Sequence, residues 1–121
     1  MGWKEDIEEN VRSGIVELLI LNLLCERDMY GYEIRQELCD RTNGAYLMKE
    51  GSLYGPLYRM VNRNLISGDK RMAGEKRFRV YYHIEDAGRE YLKYGREQIQ
   101  FVFTGANQLL GLDLSGKSQK K

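Results

Sequence analysis

The chain has 121 residues, of which 42% are hydrophobic and 31% charged, with a formal net charge of +1. That length suits one domain, and the composition excludes both a disordered chain and a uniformly basic protein. The charges are nevertheless segregated along the sequence. Residues 1–50 carry six Lys or Arg against eleven Asp or Glu, a net charge of −5. Residues 51–79 carry seven against two, a net charge of +5, so a polyanion is expected to bind there.

The sequence predicts a cytoplasmic protein without a membrane segment, a metal site or a cofactor. Its charged N-terminus is unlike a secretory signal, and the most apolar run, residues 15–25, is too short to span a bilayer. Cys25 and Cys39 have no CxxC spacing, which favours two buried, reduced thiols. The single histidine, His83, has no partner at metal-ligand spacing, and we predict a surface residue. Because no Ser-His-Asp set or phosphate-cradling glycine loop is present, we predict no enzyme.

The first half of the chain predicts helices. Residues 1–12 form an acidic segment with the pattern of a short amphipathic helix. Residues 15–25 are apolar nearly all round, so this helix should be buried on more than one side, in part by a second chain. After a break at residues 28–31, helical spacing resumes over residues 32–38. Turn chemistry at residues 42–44 ends this helix.

Residues 51–66, G-S-L-Y-G-P-L-Y-R-M-V-N-R-N-L-I, predict a helix with two different faces. Apolar side chains at helical spacing should face a core; they are Leu53, Leu57, Met60 and Val61. The other side carries hydrogen-bonding side chains, namely Ser52, Tyr58, Arg59, Asn62 and Arg63. No carboxylate lies between Gly51 and Gly68, and such a face suits a phosphate backbone and base edges. On this stretch alone, a solvated helix that lacks acids is an equal alternative.

The ends of this helix carry recognisable signals. With Ser52 as the N-cap, Pro56 is the fourth helical residue and removes at most the first intrahelical hydrogen bond. Asn64 can adopt the left-handed conformation that closes a helix. Arg59 has no carboxylate within a turn of the helix, which favours a phosphate or a guanine as its partner.

A two-stranded hairpin is predicted next. Residues 78–84 alternate apolar and polar side chains, the period of a strand with one buried face. A polar turn at residues 72–76 separates this strand from one that begins near Leu65. The hairpin has a basic edge, made of Lys70, Arg71, Lys76, Arg77 and Arg79.

A long final helix is predicted over about residues 87–111, with Asp86 as its cap. It carries a heptad seam, which predicts a dimer interface; the seam residues are Leu92, Gly95, Ile99, Val102, Ala106 and Leu109. Phe103 and Leu110 widen the seam on one flank. Gly95 and Ala106 would let a partner backbone come close. Residues 113–121 are expected to be a disordered basic tail.

The predicted fold class is therefore mostly α with a two-stranded β-wing. Three helices followed by a hairpin are the plan of a winged helix-turn-helix domain, which we assign to residues 13–84. Residues 85–112 form the C-terminal dimerisation helix. In this plan the third helix enters the major groove of DNA and the wing follows the backbone.

The chain resembles the PadR-like family of transcriptional regulators, in particular the small group that ends in one long helix. The resemblance covers about residues 13–110 and rests on several short segments. These are L-L-I-L-N-L-L, Y-G-Y-E-I, G-S-L-Y-x-x-L-x-R-M, N-L-I and R-V-Y-Y-H-I-E-D-A-G. It implies a homodimeric repressor that binds a palindromic operator through the third helix. It also implies that a flat aromatic or cationic effector can bind at the dimer centre.

The candidate site residues fall into three groups. The DNA-binding candidates are Tyr32, Ser52, Tyr54, Tyr58, Arg59, Asn62, Arg63, Lys76, Arg77 and Arg79. The candidates for the dimer interface are Ile15, Leu19, Leu92, Ile99, Val102, Phe103, Ala106, Leu109 and Leu110. The candidates for an effector site are Val16, Ile20, Ile99 and Phe103.

Several DNA-binding candidates have a plainer alternative. Tyr54 can be a ring at the edge of the core, and Ser52 can act solely as a helix cap. The wing cations can form a solvated edge without DNA contact. At the level of function, the alternative to a DNA-binding repressor is a winged-helix dimer that mainly binds a protein or a small molecule.

Overall fold

The order of elements matches a winged helix-turn-helix domain with a long C-terminal helix. The computed structural model describes residues 2–115. Its elements are α1 (Trp3–Ser13), α2 (Val16–Glu26), β1 (Met29–Tyr30), α3 (Gly31–Arg41), α4 (Glu50–Asn62), β2 (Ile66–Met72), β3 (Phe78–Ile84) and α5 (Asp86–Leu110). The predicted fold class is confirmed: α2, α3 and α4 precede a β2–β3 wing, and α5 closes the chain. Residues 116–121, most of the predicted basic tail, lie outside the described residues.

Helix α2 forms the centre of the core. The apolar side chains of α2 are covered by other elements of the same chain, because this helix packs against α3, α4, β3 and α5. Ile20 and Leu21 are completely buried, and Leu18 and Leu19 are half-buried against the same cluster. The expectation of two buried thiols is wrong for Cys25, which is exposed in the last turn of α2, and Cys39 is half-buried.

The sheet contains one strand more than the sequence predicts. Its order is β1-β3-β2, and all neighbours are antiparallel. In the added strand, Met29 pairs with Tyr82 and Tyr30 pairs with Tyr81. The predicted two-stranded wing is present as β2 and β3, and β1 adds a third strand that the sequence did not indicate. A strand of two residues is too short to show a period, and it forms only because β3 lies beside it.

The wing is anchored at its base and exposed at its tip. Ile66 and Ile84 pair at the base and are both buried. Phe78 and Val80, expected on a buried face, are 63% and 38% exposed. The period of two is present, but the outer half of the hairpin extends beyond the helices that could cover it.

The N-caps of two helices precede the predicted caps, that of α4 by three residues and that of α5 by one. Helix α4 begins at Glu50, so Ser52 lies inside the first turn and Pro56 becomes the seventh helical residue. The Ser52 N–H donates to the Lys49 carbonyl at 3.0 Å, and no side chain caps this helix. At α5, Glu85 is the N-cap and the predicted cap, Asp86, is the first helical residue. In both places an acid in the first turn suits the helix dipole.

The end of α4 follows the prediction. Asn64 has φ of 62°, the left-handed conformation, and its N–H donates to the Val61 carbonyl at 2.9 Å. The Leu65 N–H donates to the Met60 carbonyl at 2.9 Å. These bonds satisfy carbonyls at the helix end and turn the chain into β2. Within residues 2–115, none of the helices has both the length and the hydropathy that crossing a bilayer demands.

Candidate nucleic-acid interface

Helix α4 presents a polar face to solvent. Leu53, Leu57 and Met60 are buried against the core, and helical geometry places Tyr58 and Asn62 on the opposite side. Tyr58 is 69% exposed, and Asn62 is exposed beside it. Val61, predicted to face the core, is instead about one-third exposed on the flank of this face. The centre of the accessible surface of α4 therefore carries a phenol and an amide.

The two arginines of α4 contact a carboxylate from another helix. Arg59 Nε donates to Glu17 Oε2 at 2.8 Å, and Arg63 Nη1 lies 3.7 Å from Glu17 Oε1. The expectation that Arg59 lacks a carboxylate partner is wrong. The acid comes from α2, 42 residues earlier in the chain, because the tertiary packing brings the flanks of α2 and α4 together.

This ion pair determines where the guanidinium of Arg59 lies. Both arginines sit on the flank of α4 that faces α2, and each side chain is about half exposed. A Cβ placed at Gly55 would meet Arg59 Nη1 at 3.5 Å, so the Arg59 side chain runs back along the helix over this glycine. Of the predicted DNA-binding residues, Arg59 and Arg63 are held by Glu17 at the edge of the polar face.

A notch separates the first turns of α3 and α4. Tyr32 and Tyr54, both largely exposed, line a cavity of about 170 Å³ together with Gly31, Arg35 and Glu50. The Arg35 guanidinium lies 5.7 Å from the centroid of the Tyr32 ring. The structure thus brings Tyr32 and Tyr54 together, whereas Ser52 faces away from them and lines a different cavity beside α1.

The face of the wing nearest α3 carries aromatic rings with guanidinium groups over them. The Arg79 guanidinium lies 4.3 Å from the centroid of Tyr30, the residue before α3. Tyr30 also packs edge-on against Tyr81 at 5.3 Å and stacks with Tyr32 at 6.3 Å. These contacts connect a wing cation to the start of α3. Lys76 and Arg77 are exposed near the tip, in the turn closed by the Arg77 carbonyl.

A carboxylate outside the predicted site residues joins the wing to the helices. Arg71 Nη2 donates to Asp28 Oδ2 at 2.7 Å, and His83 Nδ1 lies 2.8 Å from Asp28 Oδ1. The hydrogen bond from Arg71, followed by that from His83, holds the pKa of Asp28 below its ordinary value. His83 is exposed as predicted, but it contacts this acid. No local signal identifies Asp28, since its partners lie 43 and 55 residues further along the chain.

The predicted dimer-interface residues divide into a buried and an exposed group. Leu92 belongs to the core of its own chain, and Ile15 and Leu19 are half-buried against that core. A Cβ at Gly95 would meet Leu18 Cδ2 at 2.5 Å, so Gly95 accommodates a side chain of its own chain. The C-terminal half of α5 is more open. Ile99 and Ala106 are half-buried there, and the exposed seam or flank residues are Val102, Phe103, Leu109 and Leu110.

The predicted effector residues do not share one site within the chain. Ile20 is completely buried, whereas Phe103 is half exposed on α5. Val16 lines a cavity of about 410 Å³ between α1 and α4. The other lining residues are mostly polar, and they include Glu5, Glu8, Glu9, Arg12 and Arg59. Among residues 2–115, no group of His, Cys, Asp or Glu is arranged to hold a metal ion.

The architecture defines a class of DNA-binding protein, the winged helix-turn-helix regulators, with an exposed polar helix and a basic wing. The profile of the PadR-like transcriptional regulator family matches residues 20–94, so the chain belongs to this family. It is a transcriptional regulator and not an enzyme.

Several known proteins are similar to this chain. An uncharacterised protein from Lysinibacillus sphaericus is 35% identical over 89 residues, which cover 71% of this chain and 79% of that protein. A transcriptional regulator from Clostridium thermocellum has a similar structure, with a TM-score of 0.76 and 33% identity over 84% of this chain and 95% of that chain. The structure of Bacillus subtilis PadR with operator DNA has a TM-score of 0.61 and 22% identity, covering 65% and 45% of the two chains, and is similar in fold.

Proposed function

We propose that the chain is a homodimeric transcriptional repressor that binds an inverted-repeat operator. The main evidence for a dimer is the apolar surface of α5, where Leu109 is 87% exposed and Val102 is 56% exposed. Residues at seam spacing on a long helix bury this surface when two copies pair. The apolar edge of α1 supports the same proposal, because Trp3, Ile7 and Val11 recur every four residues and are all exposed.

In this proposal α4 lies in the major groove. Tyr58 and Asn62 face the bases or the groove walls, and Tyr32 and Tyr54 border the phosphates next to the first turn of α3. The wing places Lys76, Arg77 and Arg79 along the backbone. The similarity in fold to a PadR protein bound to operator DNA supports this arrangement. Two copies would present their α4 helices to major grooves about 34–36 Å apart.

Binding is tested by selection from random duplexes, followed by fluorescence anisotropy at several salt concentrations. We expect an inverted repeat, with log K falling by roughly 0.9 per phosphate contact as log salt rises. Asn62→Ala should weaken binding by about 1–3 kcal/mol if the amide reads a base. Lys76→Ala should weaken binding to all sequences alike, while Lys93→Ala on the exposed side of α5 serves as its matched control. Absence of binding to any duplex refutes the proposal.

The dimer is tested separately by light scattering after size exclusion. Val102→Glu places a charge in the seam and should yield monomers. Gln108→Glu adds the same charge on the opposite side of α5 and should leave the dimer intact. A monomeric wild-type protein, or equal behaviour of the two variants, argues against the proposed interface.

An effector site is the remaining part of the proposal. A flat aromatic cation would bind between the paired α5 helices beside Ile99 and Phe103, and its binding would release the operator. Cation–aromatic attraction and apolar burial both favour such a ligand. Calorimetry without DNA, with a planar aromatic cation and an aliphatic quaternary ammonium as control, tests this. We expect binding of the planar cation alone and its loss in Phe103→Ala.

A further inference from the structure

A single carboxylate connects both strands of the wing to the body of the domain. Asp28 lies between α2 and β1, and its two oxygens have different partners. Oδ2 accepts a hydrogen bond from Arg71 of β2 at 2.7 Å, and Oδ1 lies 2.8 Å from Nδ1 of His83 in β3. Asp28 is therefore a link between the wing and the segment that leads directly into α3.

The longer of these two connections spans the exposed part of the wing. Arg71 pairs with Arg79 in the strand register, one position inside the last pair at the tip. Its guanidinium runs back across the ring of Tyr81, 4.7 Å from the centroid, to reach Asp28. Apolar packing contributes little in this region, since the neighbouring Phe78 is largely exposed. The Arg71 side chain thus acts as a strap along one face of the hairpin.

The Arg71 side chain is connected through two aromatic rings to a wing cation that is expected to contact DNA. Tyr81, which lies under Arg71, packs edge-on against Tyr30, and Tyr30 carries the guanidinium of Arg79. Because Tyr30 immediately precedes α3, the angle of the wing sets the distance between Arg79 and the helices. A change in that angle would move the wing cations relative to α4.

We propose that Asp28 is a positioning residue for DNA binding, which fixes the wing through Arg71 and His83 so that the wing and α4 engage DNA together. This inference rests on the proposed docking of the wing on the DNA backbone. The direction in which DNA affinity changes when the Asp28 carboxylate is removed distinguishes positioning from a simple electrostatic effect. Removal of a negative charge near a DNA-binding face tightens binding by itself, whereas loss of positioning weakens it.

The test compares Asp28→Asn with a matched control, Asp69→Asn. Asp69 also accepts a hydrogen bond from Arg71, at 3.2 Å, but it lies on the same strand and cannot tie the wing to the body. On the selected duplex, Asp28→Asn should bind about tenfold more weakly, the size of roughly one charged hydrogen bond. Its salt slope should be shallower by roughly 0.9 for each phosphate that the wing no longer neutralises. Asp69→Asn should bind equally or more tightly.

Two further measurements separate positioning from general loss of structure. Because Asp28 acts in part through Arg71, Asp28→Asn should have a smaller effect on affinity in an Arg71→Gln background than in the wild type. Hydrogen exchange should become faster in the outer part of β2 and β3 in Asp28→Asn, without a change in α5. Arg71→Gln breaks the strap from its exposed end and should cause the same local exchange, so the test does not depend on the folding of Asp28→Asn.

The outcomes are distinct. Binding by Asp28→Asn that equals the wild type or the Asp69→Asn control overturns the inference, as does unchanged exchange in the wing. If the selection from random duplexes yields no duplex that the wild-type protein binds, the proposed function itself is refuted. In that case the exchange measurement still decides whether Asp28 holds the wing.

Discussion

Replacement of Gly88 by alanine tests the junction between the wing and α5. A Cβ at this buried position would lie 2.2 Å from the Leu65 carbonyl oxygen and 2.9 Å from Ile84 Cγ1. The Leu65 oxygen cannot easily move, because it accepts the Glu85 N–H at 2.9 Å. The start of α5 must therefore shift away from the base of the wing.

The expected magnitude follows from two opposing effects. Overpacking typically costs about 1–3 kcal/mol, and a contact with backbone belongs at the upper end of that range. Replacing glycine by alanine within a helix raises the free energy of unfolding by up to about 1 kcal/mol. We expect Gly88→Ala to lower the free energy of unfolding by about 2 kcal/mol, which lowers Tm by roughly 8 °C for a domain of this size.

Two other glycines of α5 provide a graded comparison. A Cβ at Gly95 would meet the methyl groups of Leu18 at 2.5 and 2.8 Å, and a leucine side chain can rotate away, so its net loss should be under about 1 kcal/mol. At Gly105 a Cβ would meet nothing within 4 Å, and alanine should stabilise the helix by up to about 1 kcal/mol. Urea unfolding followed by circular dichroism, at one fixed protein concentration, measures all three. Equal stability of Gly88→Ala and Gly105→Ala would refute this reasoning.

Three further predictions concern individual contacts. Asn64→Gly should be nearly neutral, whereas Asn64→Val should cost about 1–2 kcal/mol in urea unfolding, because a β-branched residue resists the left-handed conformation found there; equal costs would contradict this. The hydrogen bond from Arg71 lowers the pKa of Asp28 in the folded protein. The ionised carboxylate therefore stabilises the fold fully at pH values above the ordinary pKa of an aspartate, and this stabilisation is lost as the pH falls through the lowered pKa. Thermal melts of Asp28→Asn should therefore depend less on pH on the acid side than those of the wild type, and parallel profiles would argue against it. A double-mutant cycle with Glu17→Gln and Arg59→Ala, measured by urea unfolding at low salt, should give a coupling energy of about 0.5–1 kcal/mol. Additive effects of the two substitutions would mean that the ion pair contributes nothing to the free energy of unfolding.

Most of the architecture could be predicted from local patterns. The apolar spacing of residues 15–25 and 51–62, the alternation in residues 78–84 and the seam in the last helix each correspond to an element of the structure. The errors concern features without a local period. Strand β1 has two residues, and α4 begins two residues before Ser52, although a serine at that point has the chemistry of a cap.

The candidate site was predicted less completely than the fold. The sequence identified the exposed positions of α4, and Tyr58 and Asn62 do face solvent. It could not show that Glu17 draws Arg59 and Arg63 to the flank facing α2. An ion pair depends on where two helices come to lie, and residue spacing within one helix contains no information about that.

The sequence by itself determined the class of protein, because periodicity, turn residues and charge segregation are local properties of the chain. It also placed the polar face of α4, the basic wing and the apolar seam of α5. Only the tertiary structure decided how these parts are held relative to one another. Asp28 meets Arg71 and His83 across 43 and 55 residues, and Glu17 meets Arg59 across 42. Such contacts arise when the core packs, because burial of the apolar faces fixes the helix positions and thereby brings distant charges within hydrogen-bonding distance.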